Sequence, residues 1–440
     1  MSERKKYWMC YLVYAVLWLF FHALCVRVMD DVGPFAPATL EKFINSRTEW
    51  SSRMAIVILG LPFSRRPIML WGLVDTVVML FLAGLLDHRF NQSKRAEKTV
   101  FIMSAVCIFP FSIMSTAGWI ATTHTYLWIV PAGLYVILTI KKIGEMQKIS
   151  VKQYLLSGLS FLIAMDVEVG VVAMFIILLG YSALQIWNRR KNVYVYILTV
   201  VSLLRIIFDV FWQGNATRYQ SDTLNYFPDH SMLDTFDKVV LGFSTSAYTI
   251  YKVYWIPLLL LTLMICFIVF ENHEDLFGRI VVIISAAVAG IYPLAGFVSE
   301  QFGSLYDVAL GYNAKYGLVS FSNYTKLNGY LLLLIWGMGL FCTTYGIFII
   351  RREIKNAFIW IVYLIAGFAS QFIMGFSATV YLSANRTASW LFFAILICLI
   401  GIYMEWNPKH AKMKSMITYL AAISGGISFI NSLLFAANCR

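Results

Sequence analysis

The sequence predicts an all-α integral membrane fold, a polytopic bundle of about 13 transmembrane helices, and three observations carry that reading. The chain is 60% hydrophobic and only 13% charged, with a mean hydropathy of +0.72, values outside the soluble globular range. Apolar runs near the roughly 20 residues a bilayer requires recur along its whole length. The polar breaks between them are short and mostly basic, leaving no room for a soluble domain.

In chain order the expected spans are 7–28, 67–87, 99–116, 127–141, 152–167, 169–187, 193–213, 252–270, 279–298, 328–350, 357–375, 387–404 and 416–435. The first follows the basic stretch SERKK and has the outline of a signal peptide. It is long, however, and lacks a small-residue cleavage site before Met29, so it reads as a retained span. Orientation follows from charge. With the N-terminus in the cytoplasm, the inner breaks are SERKK, HRFNQSKRAEK, KKIGEMQK, NRRKN, ENHEDLFGR, RREIK and EWNPKHAKMK, all basic except the acidic ENHEDLFGR. The net charge of +12 is thus mostly the excess of Lys and Arg that holds loops inside, not the footprint of a nucleic-acid partner.

The longer polar segments then lie outside: 29–66, 115–126, a turn at 166–168, 214–252, 299–326 and 375–386. Within the first of these, Ser46–Phe63 reads as an amphipathic helix along the outer interface. Six of the seven cysteines fall inside apolar runs without C-x-x-C spacing, which supports neither a disulfide framework nor a zinc site. No glycine-rich phosphate loop and no internal repeat is present.

The polar groups of the outer side are the candidates for chemistry. Asp30 and Asp31 follow the first span; crowded and partly dehydrated, such a pair suits proton abstraction from a sugar hydroxyl, although D-D-x-G-P is equally good turn composition. Arg53, after Trp50, has the fork geometry to clamp a phosphate, or to anchor at headgroups. The stretch Gly118–Trp128 gathers His124, Tyr126 and Trp128, a platform for a sugar ring or part of an interfacial aromatic belt. Asn215 and Arg218 form a further outer turn, beyond Arg205 and Asp209, whose four-residue spacing suits an ion pair on one helix face. Arg386 enters the twelfth span. Asp166 and Glu168 read as a water-exposed turn, and Asp75, inside the second span, requires a polar neighbour in the bundle.

These motifs resemble those of the bacterial multi-spanning glycosyltransferases of the GT-C superfamily. The likeness rests on Asp30-Asp31 after the first span, Trp50-Ser51-Ser52-Arg53, the Thr122–Trp128 loop, and Gln213-Gly214-Asn215-Ala216-Thr217-Arg218; it covers the first half of the chain, and the second half in layout only. Ser52 stands where that family usually has glycine, and Gln213 where it has proline. A looser likeness, in size and layout, is to the serotype-converting glucosyltransferases of O-antigen. The resemblance implies one GT-C-like domain over 1–440, with 1–250 as the catalytic half and 251–440 serving acceptor and lipid. It implies a hexosyltransferase of the bacterial cytoplasmic membrane, working on the periplasmic or outer face. A sugar, glucose in the looser relatives, would pass from a polyprenyl-phosphate donor to a cell-surface polysaccharide or lipid-linked acceptor. Asp30 or Asp31 would be the base. Arg53, Arg218 and Arg386 would hold the donor phosphate, and Trp50, His124, Tyr126, Trp128 and Asn215 the saccharide. No cofactor or metal is required, and a donor synthase and a small flippase are the implied partners. Two other classes remain: a flippase for lipid-linked sugars, which needs polar groups through the midplane, and an O-antigen polymerase or ligase, which concentrates arginines in one very large outer loop.

Overall fold

The computed structural model describes residues 2–33, 41–42, 45, 49–272, 275–298, 315–409 and 411–439. Every regular element is a helix, and no strand occurs among the described residues. The chain forms two compact units, Met1–Arg218 with Thr418–Arg440, and Tyr219–Ile417.

In the first unit α1 is Glu3–Leu24, capped by Ser2, whose hydroxyl accepts from the Lys5 amide at 3.4 Å. Trp8, Leu12, Val16 and Phe20, four residues apart, are all exposed, while Tyr14, Trp18 and Phe21 are buried. A helix that is apolar on its exposed face as well as its packed face has lipid as its natural solvent. Then follow α2 (Ala55–Ser64), α3 (Ile68–Phe90), α4 (Ala96–Cys107), α5 (Trp119–Gly144), α6 (Val151–Ala164), α7 (Glu168–Trp187), α8 (Val193–Phe211) and the start of α9 (Gln213–Tyr226). α1 packs on α3 and α4, α3 on α5, α5 on α6, and α7 on α8. At the α1–α3 crossing Gly72 permits the approach, since a methyl there would stand 2.7 Å from His22 Cβ.

The second unit holds α10 (Thr235–Tyr248), α11 (Trp255–Asn272), α12 (Leu276–Val298), α13 (Leu327–Arg351), α14 (Ile354–Phe372) and α15 (Ser389–Glu405). Its centre is α15, buried from Ser389 to Tyr403 and packed on α14 and α11. The last helix, α16 (Ala411–Asn438), leaves this unit and enters the first at Thr418.

The polytopic membrane bundle is therefore present, with ten helices long and apolar enough to span among the described residues. Two of the expected spans differ. The run at 99–116 breaks after Cys107 and continues beyond Pro110 as a 3-10 turn, Phe111–Ser115. The run at 152–167 is α6, whose 14 residues reach roughly 21 Å, short of a core about 30 Å thick. The run at 279–298 lies within α12, 23 residues that include Pro293. The expected amphipathic helix at 46–63 is corrected too. Residues 46–48 lie outside the described residues, and the helix observed, AIVILGLPFS, has no polar face; it buries Ile56 and Phe63 and exposes Ile58 and Leu61. Parts of the expected outer loops, 34–40, 43–44 and 299–314, also lie outside the described residues.

Candidate functional site

Beyond α1 the chain turns through Met29–Asp31, one 3-10 turn entered by Met29 at φ +49°. The turn separates the two acids. Asp30 is exposed, whereas Asp31 is 0% exposed and faces inward. Its two oxygens accept the amides of Ile120 at 2.9 Å and Ala121 at 3.0 Å. Those amides open α5 and have no partner within the helix, so Asp31 is a cap delivered from a distant stretch of chain. Gly118, at φ +101°, makes the fit possible: a methyl there would lie 2.6 Å from Asp31 Oδ1. Burial pushes the Asp31 carboxyl up to about 6, while the two amide bonds and Arg27 pull the other way. Asp31 thus has the geometry of a positioning residue, and Asp30 is the acid open to an acceptor.

Arg27 ties this turn to the next helix. Its guanidinium donates to the carbonyls of Asp31 at 2.8 Å, Phe63 at 2.6 Å and Arg66 at 2.5 Å. The carbonyl end of α2, which would repel an anion, is thereby covered by a fixed cation. Beside it opens a pocket of about 300 Å³ lined by Arg27, Val32, Gly33, Ser64, Arg65 and Arg66. It lies where α1 ends and α3 begins.

The stretch before α2 is held by a second network. Both oxygens of the buried Asp166 accept backbone amides, Met54 and Ile56 each at 2.8 Å, and so cap α2. Glu168 receives Arg53 at 2.7 Å on one oxygen and Arg218 at 2.9 Å on the other. Arg53 also lies over the Tyr126 ring, 5.9 Å from its centroid. Ser52 donates to Asp209 at 2.7 Å, and Asn215 donates to the Ser52 hydroxyl at 3.2 Å and to the Asp209 carbonyl at 2.9 Å. Arg205 and Asp209 pair at 3.1 Å, as their spacing implies. Arg53, Asn215 and Arg218 are therefore brought together, but each is engaged with protein groups.

The aromatic residues separate by depth. Trp50 is 43% exposed; His124, Tyr126 and Trp128 are buried. His124 Nδ1 donates to the Ile120 carbonyl across a π-helical turn, Thr123–Leu127. Trp128 donates to Asp75 at 2.6 Å, and the other Asp75 oxygen lies 2.9 Å from His22 Nε2. The Thr76 hydroxyl donates to Gly72, so His22 Nδ1 must donate to Thr76 at 3.0 Å. His22, Thr76 and Trp128 thus form one network with Asp75. This is the polar neighbour that Asp75 required. Arg386 belongs to the second unit, where it donates to Ser383 at 3.3 Å.

Within the first unit, then, contacts gather Arg53, Asn215 and Arg218 around Glu168, Ser52 and Asp209, with Trp50 just before the Ser51–Ser52 link, while Asp30 stands on the separate turn that Asp31 pins to the start of α5. Sequence reasoning did not find Arg27, Arg65, Arg66, His22 or the central place of Asp166 and Glu168. A signal for Arg65 and Arg66 existed: they are a basic pair in a segment the charge pattern assigns to the opposite side from most other basic breaks. Among the described residues no three His, Cys, Asp or Glu side chains are grouped to hold a metal ion. Compared with known proteins, the chain matches no family model, no curated protein and no solved structure.

Proposed function

We propose that the chain is a GT-C-type glycosyltransferase that moves a sugar from a polyprenyl-phosphate-linked donor to a saccharide acceptor at the outer face of the bacterial cytoplasmic membrane. One observation carries the reading: an exposed carboxylate, Asp30, stands on a turn pinned by Asp31 and Arg27, and the same turn borders an arginine-lined pocket at the ends of two spanning helices. In this reading Asp30 takes the proton of an acceptor hydroxyl. The acceptor oxygen bonds to the anomeric carbon as the carbon–oxygen bond to phosphate breaks, and the electron pair leaves on the phosphate oxygen. Arg65 and Arg66 stabilise that charge, taking the role first expected of Arg53, Arg218 and Arg386. Asp31, Arg53, Glu168 and Arg218 act as positioning residues. Trp50, an exposed ring ahead of α2, supplies a stacking face for the sugar.

The midspan polar groups argue against a flippase, because His22, Thr76, Asp75 and Trp128 satisfy one another. The test is sugar transfer in membranes supplied with labelled polyprenyl-phosphate sugars. Asp30→Asn should abolish transfer while inserting at normal levels. Normal transfer by that variant, or labelling of a cysteine at position 30 from the cytosolic side, overturns the proposal.

A further inference from the structure

We infer that the pocket bounded by Arg27, Ser64, Arg65 and Arg66 is a binding site for a diphosphate group. The inference deepens the transferase reading, on which it rests for the role of the site, by making the donor linkage a diphosphate and not the single phosphate that the sequence resemblance implies.

The argument begins with charge. Among the described residues that line it, three are arginines and none is acidic. The buried carboxylate of the adjoining turn, Asp31, directs both oxygens at the amides of Ile120 and Ala121. The contrast within the same unit is the other arginine group, where Glu168 sits between Arg53 and Arg218 and already occupies the place an anion would take. Among the described residues lining the pocket no carboxylate takes that place. With Arg27 held by backbone carbonyls, Arg65 and Arg66 are the two open guanidinium groups, and a phosphodiester with one negative charge would leave one of them uncompensated. A diphosphate ester, with two to three charges and more acceptor oxygens, matches both planar donor forks.

Geometry assigns the arginines different tasks. Arg27 spends its donors on three backbone carbonyls, so it is a fixed floor. The Arg65 and Arg66 side chains have no hydrogen bond or ion pair among the described residues and are exposed, leaving their N–H groups for a ligand. The volume, about 300 Å³, is at the small end for ligand sites, suited to a headgroup and not to an oligosaccharide. Lying where α1 ends and α3 begins, the pocket leaves an attached isoprenoid chain within reach of the bilayer.

The experiment measures binding alone, on the full chain purified in detergent. The probes are inorganic phosphate, inorganic pyrophosphate, farnesyl monophosphate and farnesyl diphosphate. Each diphosphate should bind at least about tenfold more tightly than its monophosphate counterpart, and Arg65→Gln with Arg66→Gln should erase that preference. Tighter binding of farnesyl diphosphate than of pyrophosphate assigns the site to a lipid; equal binding assigns it to the free anion. Because both arginines are exposed, the double variant should fold, and Arg65→Lys with Arg66→Lys, keeping charge but not the fork, should fall between. No preference for diphosphate, or a preference that survives the double glutamine variant, overturns the inference. Asp30→Asn should bind all four probes normally, so loss of transfer and loss of diphosphate binding are read separately.

Discussion

Replacing each acid of the Asp30–Asp31 pair by alanine should produce two unlike proteins. Asp31 is fully buried and is the acceptor for two amides at 2.9 and 3.0 Å. Asp31→Ala leaves both donors without a partner at the start of α5, and each orphaned buried donor costs about 1–3 kcal/mol. Some of that returns as the helix end relaxes, so the expected loss is about 2–4 kcal/mol. Asp30 is exposed, and its removal should change stability by no more than about 0.5 kcal/mol. The assay is denaturant unfolding of both variants in detergent micelles, followed by tryptophan fluorescence, since the buried Trp119 opens the same helix. Gly118→Ala offers a control, because its methyl would press on Asp31 Oδ1; its cost should be far less than additive with that of Asp31→Ala, as both disrupt one contact. The reasoning fails if Asp31→Ala unfolds like the parent, if Asp30→Ala is equally damaged, or if the two costs at 31 and 118 simply add.

Other outcomes follow from the same contacts. Glu168→Gln removes the shared partner of Arg53 and Arg218; with those side chains about a quarter exposed, the cost should be about 1–2 kcal/mol, and amide exchange at Ser51–Met54 should accelerate. Unchanged exchange there would show that Glu168 does not hold the segment. Since burial holds the Asp31 carboxyl up at about 6, the protonated-acid infrared band that is lost as pH rises through that value should be smaller in Asp31→Asn than in the parent. Asp75→Leu leaves the Trp128 indole and His22 without their buried acceptor, and should lower stability by about 2–4 kcal/mol, whereas a functional but non-structural Asp75 would leave the unfolding curve unmoved.

The sequence by itself determined the solvent of the fold. Apolar runs near bilayer length can satisfy their backbone in lipid only as helices, and basic breaks predict orientation, because both properties are local and survive without knowledge of neighbours. It also marked where polar groups cost too much to be accidental: Asp75 needed a partner, and Arg205 and Asp209 were spaced to pair. Composition overstated the spans, since hydropathy cannot distinguish a crossing helix from one too short to cross such as α6, or see Pro110 divide a run. Only tertiary structure could decide which of two adjacent acids is spent on capping α5, because the amides in question lie some 90 residues away. The same holds for the arginines. Arg53 and Arg218 read from sequence as free cations, and become partners of one carboxylate once the fold brings Glu168 between them; Arg65 and Arg66 read as part of a loop, and no acid is among the described residues that line their pocket. A charge acquires its meaning from its nearest opposite, and in this chain that neighbour is set by how the helix ends meet.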